Sequence, residues 1–127
     1  MTDAALPLQE GQATWKAPNG LLEVVYRKAI TAGDRMDFDL GDWIQFEGAK
    51  AVARRSDLAR FLFQRLCVSY RIRESADEAW GAGVAWSTES VRQLPDVHGP
   101  SLAQLSDYLT MVISGRPVSE EASLGEG

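Results

Sequence analysis

Hydrophobic positions across residues 12–30, "QATWKAPNGLLEVVYRKAI", fall in two strand-like arms on either side of "APNG". Pro18 fixes one backbone dihedral, and Asn19 and Gly20 tolerate positive φ, so the pattern predicts a β-hairpin. In its second arm Leu22, Val24, Tyr26 and Lys28 alternate with Glu23, Val25, Arg27 and Ala29, which makes one face more apolar than the other. A lone hairpin is marginal in water, so that face must pack on helices. Across "TAGDRMDFDLGDWIQFEG", two periods compete. Met36, Phe38 and Leu40 alternate like a strand, whereas Met36, Leu40, Trp43 and Ile44 fit one helical face. Thr31 followed three residues later by Asp34 has the spacing of a capping box, which favours a helix starting near Thr31.

A second helix is expected from about Ser56, capped by Ser56 or Asp57. It leads into an extended stretch where Val68, Tyr70 and Ile72 alternate with Ser69, Arg71 and Arg73. Gly81 and Gly83 break regular structure between Trp80 and Trp86. Ser87 or Thr88 then caps a short helix carrying Val91 and Leu94, which Pro95 ends. His98, Gly99 and Pro100 read as a loop, with His98 at the surface. Ser101 opens the cleanest amphipathic helix, with Leu102, Leu105, Leu109, Val112 and Ile113 on one stripe and Gly115 as its stop. Its other face, Ala103, Gln104, Ser106, Asp107 and Thr110, carries one charge, which raises a second contact surface there. The expected fold is α+β: an N-terminal β-hairpin packed on a small, predominantly helical bundle. Residues 1–11 read as a flexible leader, 12–115 as a single compact domain and 116–127 as a disordered tail, because "RPVSEEASLGEG" has almost nothing to bury.

Composition narrows the chemistry. The chain has 127 residues, 45% of them hydrophobic and 24% charged, with a net charge of −5. An acidic molecule is repelled by phosphate backbones unless its positive charge is segregated. No apolar run approaches bilayer length and no basic region precedes an apolar one at the N-terminus, so neither a membrane span nor a targeting segment is expected, and the location is cytoplasmic. The lone Cys67 allows no intrachain disulfide and no zinc cluster, and reads as a small core hydrophobe. Asp34, Asp37, Asp39 and Asp42 invite a calcium reading. Counted from Asp37, however, the glycine falls one place early and no Glu closes the loop, so a solvated acidic face at a helix start is the better reading. The single His, the absence of a Gly-rich phosphate loop and the absence of His–Glu metal spacing leave no catalytic residue, no cofactor and no metal to expect. The chain does not read as an enzyme.

The segment "VARRSDLARFLFQRLCVSYRIRE", residues 52–74, concentrates six arginines among large apolar residues. Arg54 and Arg55 precede the expected helix. At 100° per residue Arg60 falls with Asp57 and Gln64 on the polar side, while Arg65 lands within the arc of Leu58, Phe61 and Leu62. Arg65 must therefore snorkel or find an acidic partner. Charges scattered around the axis do not make a phosphate-tracking stripe, and nucleic acid is not an expected partner. Phe61, Leu62 and Leu66 should form core. Phe63, almost opposite Phe61, should face a second helix or a partner. Arg71 and Arg73 share one face of the extended stretch, where a partner's carboxylates would reach both. The candidate partner-binding residues are thus Phe63, Arg71, Arg73, Trp80 and Trp86, the tryptophans as interface anchors.

The order of these elements resembles the phage tail assembly chaperones: a short hairpin, the "ITAGDR" turn, a helical middle, "DEAWGAGVAWSTESVRQL" and a last amphipathic helix. Asp77, Glu78, Gly81, Trp86, Ser87, Glu89, Val91 and Leu94 follow the order of acidic and glycine residues, aromatic and capped helix found in that family, and the resemblance spans roughly Gln12 to Ser114. It implies a protein that binds the long, helical tape measure protein and keeps it soluble while tail tube subunits assemble, acting in the host cell cytoplasm. The tail tube protein and a second copy of the chain are further candidate partners. Two other classes stay open: a small structural or joining protein of a phage tail or secretion-type assembly, and a small nucleic-acid-binding regulator.

Overall fold

The "APNG" turn closes a hairpin of two antiparallel strands, β1 (Gln12–Lys16) and β2 (Leu22–Arg27), paired from Gln12 opposite Arg27 to Lys16 opposite Glu23. Gly20 has φ +77°, a value that suits a residue without Cβ, and its N–H donates to the Ala17 carbonyl at 2.8 Å. Asn19 Oδ1 accepts from the Leu21 N–H at 2.9 Å, holding the turn from within. A computed structural model describes residues 6, 8–41, 43–53 and 55–115, and only the backbone at 44–47, 50–53 and 55.

The expected helix start is present. Helix α1 (Ala32–Leu40) is capped by Thr31, whose hydroxyl accepts from the Asp34 N–H at 3.1 Å while the Asp34 carboxylate accepts from the Thr31 N–H at 2.9 Å. Beyond it the helical face proposed for Met36, Leu40, Trp43 and Ile44 does not continue. Met36 and Leu40 are exposed, Gly41 ends the helix, and Trp43 folds back to donate from Nε1 to the Phe38 carbonyl at 2.7 Å. The chain instead forms a second hairpin, β3 (Ile44–Glu47) and β4 (Lys50–Ala53), turned at Gly48 with φ +68°.

Helix α2 (Arg55–Leu66) runs straight into β5 (Cys67–Ile72), the extended stretch read from the alternation of residues 68–73. Strand β5 returns beside β2, and the two-residue β6 (Val84–Ala85) adds at its far side, giving an antiparallel sheet ordered β1-β2-β5-β6. A short helix α3 (Thr88–Arg92) is capped by Ser87, whose Oγ accepts from the Ser90 N–H at 3.1 Å. A 3-10 turn (Asp96–His98) then leads into α4 (Gly99–Ser114), stopped by Gly115 in the left-handed conformation. The fold is α+β, with an N-terminal hairpin followed by helices.

One face of the sheet carries the core. Leu22, Val24, Tyr26 and Tyr70 meet Leu62 and Leu66 of α2, Val91 of α3, and Leu105, Leu109 and Ile113 of α4. Spacings of four between Leu62 and Leu66 and along 105, 109 and 113 put those residues on single helical stripes. The opposite face is also covered: Val25 is fully buried beside Glu23 and Arg71, so β2 is enclosed on both sides rather than half-solvated. Gly81 and Gly83 stand where the backbone comes close to its neighbours, a Cβ at Gly81 lying 3.0 Å from the Ile72 carbonyl oxygen. The Gly81 N–H donates to the Ile72 carbonyl at 2.9 Å, and a methyl in place of a Gly83 hydrogen would stand 2.8 Å from Cδ2 of the buried Leu6. The expected tail, 116–127, and residues 1–5 and 7 of the expected leader lie outside the described residues.

His98 departs from its surface-loop reading. Pro100 sits in the first turn of α4, where a missing N–H costs nothing, so 98–100 form a helix start instead of a loop. His98 is 2% exposed, its Nδ1 makes no hydrogen bond among the described residues, and burial lowers its pKa below the ordinary 6.5. The unfolded chain then binds the proton that the folded one resists, and stability falls as pH drops below about 6.5. Thermal melts between pH 8 and pH 5 should show this loss, with a shallower slope in His98→Gln. Equal slopes would remove His98 as its source.

Candidate functional site

Residues 56, 59, 60 and 63 recur at i, i+3, i+4 and i+7 on α2 and therefore share one side of that helix. Between this side and the Trp86–Arg92 segment lies a cavity of about 390 Å³, bounded by Ser56, Ala59, Arg60, Phe63, Trp86, Thr88, Val91, Arg92 and Leu102. A neighbouring cavity of about 400 Å³ continues it between α2 and α4, where Ser56, Ala59, Phe63 and Leu102 meet Ala103 and Ser106. Small side chains at 56, 59, 103 and 106 leave the space open, and Phe63, Trp86 and Leu102 make it apolar. Together the two form a trough along α2.

Phe63 and Trp86 are held in place from behind. Their ring centroids are 5.3 Å apart, and Trp86 also meets Tyr70 edge-on at 5.6 Å. Tyr70 is in the core, so Trp86 has one side anchored and the other facing the trough. The Trp86 N–H donates to the Val68 carbonyl at 3.0 Å, and Gln64 Nε2 donates to Thr88 Oγ1 at 3.3 Å, tying α2 to α3. Arg60 and Arg92 are the charged lining residues. Both are exposed, and among the described residues neither has an ion-pair partner and no carboxylate lines either cavity.

The remaining candidates gather elsewhere. Arg71 is 8% exposed and donates from Nε to Glu23 Oε1 at 2.6 Å, with its guanidinium 5.0 Å from the Trp80 ring. Arg73 stacks on the same ring at 4.0 Å and donates to the Gly20 carbonyl at 2.7 Å and the Glu78 carbonyl at 3.1 Å. Arg71 and Arg73 do share a face, but their guanidinium groups are engaged within the chain, strapping the first hairpin to the segment before Trp80, instead of standing open to a partner. The structure thus brings Phe63 and Trp86 together and separates them from Arg71, Arg73 and Trp80.

Arg65 has the acidic partner its wheel position demanded. Its Nη1 donates to Asp34 Oδ1 at 3.0 Å and its Nη2 to Asp37 Oδ2 at 2.5 Å, with the guanidinium over the Phe61 ring at 5.2 Å. Arg27 binds the same Asp34 with two hydrogen bonds, at 2.7 and 2.9 Å. The Arg27 hydrogen bonds, supported by Thr31 and Arg65, hold the Asp34 carboxyl far below the usual carboxylate range against the opposing effect of burial. Asp34 is therefore a buried cross-link and not part of a solvated face, whereas Asp39 is exposed and Asp42 lies outside the described residues. No cluster of His, Cys, Asp and Glu among the described residues has the makings of a metal site. Cys67 is partly covered, and burial pushes its thiol pKa far up, which suppresses thiolate reactivity.

Sequence reasoning missed Arg60, Arg92, Val91 and Leu102 as trough residues. The 56/59/60/63 spacing is enough to mark one side of α2, but nothing in it tells that α3 stops short of covering that side. No protein-family model, curated protein or solved structure matches this chain. No helix among the described residues is long and apolar enough to cross a membrane.

Proposed function

We propose that this chain is a non-enzymatic tail assembly chaperone whose α2–α3–α4 trough takes an apolar stripe of the tape measure protein and keeps that protein soluble in the host cytoplasm during tail assembly. The observation that carries the reading is the trough itself, an apolar channel with two anchored aromatic rings. Helix-in-groove recognition uses this arrangement: the partner's apolar face fills the channel, and pre-set aromatic side chains supply most of the affinity. A long helical partner offers such stripes repeatedly. The net charge of −5 adds solubility to the complex.

The test is co-expression with a candidate tape measure protein, measuring the fraction of that protein left in the soluble lysate. Wild type should hold it in solution. Phe63→Ser should fold but release it, losing about 2 kcal/mol of binding, or roughly thirtyfold in affinity. Leu62→Ser, at a fully buried position, should unfold the chain and serves as the contrast. Unchanged solubility of the tape measure protein with a folded Phe63→Ser variant would reject the trough as its site.

A further inference from the structure

The charges around the trough are one-sided, and this bears on what it accepts. Arg60 of α2 and Arg92 of α3 line the cavity between those two helices, while the continuation between α2 and α4 is bordered by Ser56, Ala103 and Ser106. Among the described residues no carboxylate lines either part and the two arginines have no ion-pair partner, in a chain whose acidic groups outnumber its basic ones. Other arginines of this protein are engaged internally: Arg27 and Arg65 on Asp34, Arg71 on Glu23, Arg73 on backbone carbonyls. Unpaired arginines beside an apolar channel are complementary to carboxylates, and their planar groups add stacking and forked hydrogen bonds.

We infer that the trough selects an amphipathic helix carrying acidic residues along one flank of its apolar stripe, the flank that lies against α3, with small or uncharged residues along the other. The inference rests on the trough being the partner site, and it specifies which helices that site admits. From Ser56 to Phe63 the α2 wall rises about 10 Å, so roughly two turns of the partner are in register with it. Within two turns an acidic flank places carboxylates at i and i+4, enough to meet both arginines. A helix with a basic flank has the same apolar stripe but brings like charges onto Arg60 and Arg92, which excludes it by repulsion and not by poor fit.

Two synthetic helical peptides test this directly. Both carry one Leu/Phe stripe, and they differ only in having glutamates or lysines along one flank. Binding to the full chain is measured by fluorescence anisotropy at low and high salt. The glutamate peptide should bind about tenfold more tightly than the lysine peptide at low salt, and the gap should narrow as salt rises. Arg60→Glu/Arg92→Glu, two changes at exposed positions checked for folding by circular dichroism, should reverse the order. Equal binding of both peptides to wild type, lost for both in Phe63→Ser, overturns the charge selection and leaves the trough in place. Binding of neither peptide overturns the inference, and takes the trough reading with it where Phe63→Ser also leaves the tape measure protein soluble. A wild-type dimer that the double variant dissociates would put a second copy in the trough and overturn the assignment of an acidic partner helix.

Discussion

Asp34→Ala should lower the stability of this protein by about 3 kcal/mol and its melting temperature by roughly 10 °C. The side chain is 4% exposed and performs three tasks at once. It completes the cap of α1 through the Thr31 N–H, it takes both arms of the Arg27 guanidinium from the end of β2, and it takes one arm of Arg65 from the last turn of α2. Alanine leaves Arg27 without its anion and Arg65 with the exposed Asp37 alone. Arg27 and Arg65 are each about a third exposed, at 31% and 33%, so they recover some hydration, which keeps the cost at the lower end of the range for broken buried pairs. Asp34→Asn retains part of the capping geometry and should lose less.

The same residue sets an acid limit. Its folded pKa is depressed, so its contribution is complete above the unfolded value of about 3.9 and is lost as pH falls from there toward the lowered folded value. The gap in urea midpoint between wild type and Asp34→Asn should therefore be narrower at pH 3 than at pH 7 without closing, because the folded-state carboxyl is still ionised at pH 3. A constant difference between them would mean that the carboxylate charge is not what stabilises the fold.

Local signals in this chain were readable and non-local ones were not. Thr31 and Asp34 lie three residues apart, "APNG" holds its own turn, and the place of Arg65 on a helical wheel demanded an acid; each of these is a statement about neighbours in sequence. The hairpin of β3 and β4 was hidden because Met36, Leu40, Trp43 and Ile44 satisfy a helical period that Gly41 interrupts, and only the folded chain shows Trp43 turning back onto Phe38. Pro100 misled in the other direction, since a proline in the first turn of a helix and a proline in a loop look alike without the helix around them. The site divides in the same way. The wheel placed Phe63 opposite Phe61 and expected only Phe61 in the core, whereas both rings are partly buried against it. The space beside Phe63 is bounded by the five-residue α3 and by Ala103 and Ser106 of α4, which depends on how three helices meet.

The pair formed by Glu23 and Arg71 is the clearest case of a contact beyond the reach of sequence, since 48 positions separate its members and only the β2–β5 register sets them opposite each other. It also yields a test of where function resides. Side-chain exposures of 9% and 11% and a 2.6 Å bond describe an ion pair with little water left to it. Arg71→Met alone strands the Glu23 carboxylate and should cost about 3 to 4 kcal/mol; Glu23→Leu alone strands the guanidinium with a similar penalty. The double variant removes both charges, and methionine keeps an unbranched stem over the Trp80 ring, so most of the loss should be recovered. A double-mutant cycle by urea denaturation should give a coupling well above 1 kcal/mol, and strictly additive losses would show that the pair does not act as a unit. Because this pair lies apart from the trough, the refolded double variant should still hold the tape measure protein in solution. Should it fold stably and fail to do so, the partner contact belongs with Arg71 and Trp80, and the trough of Phe63 and Trp86 is not the site.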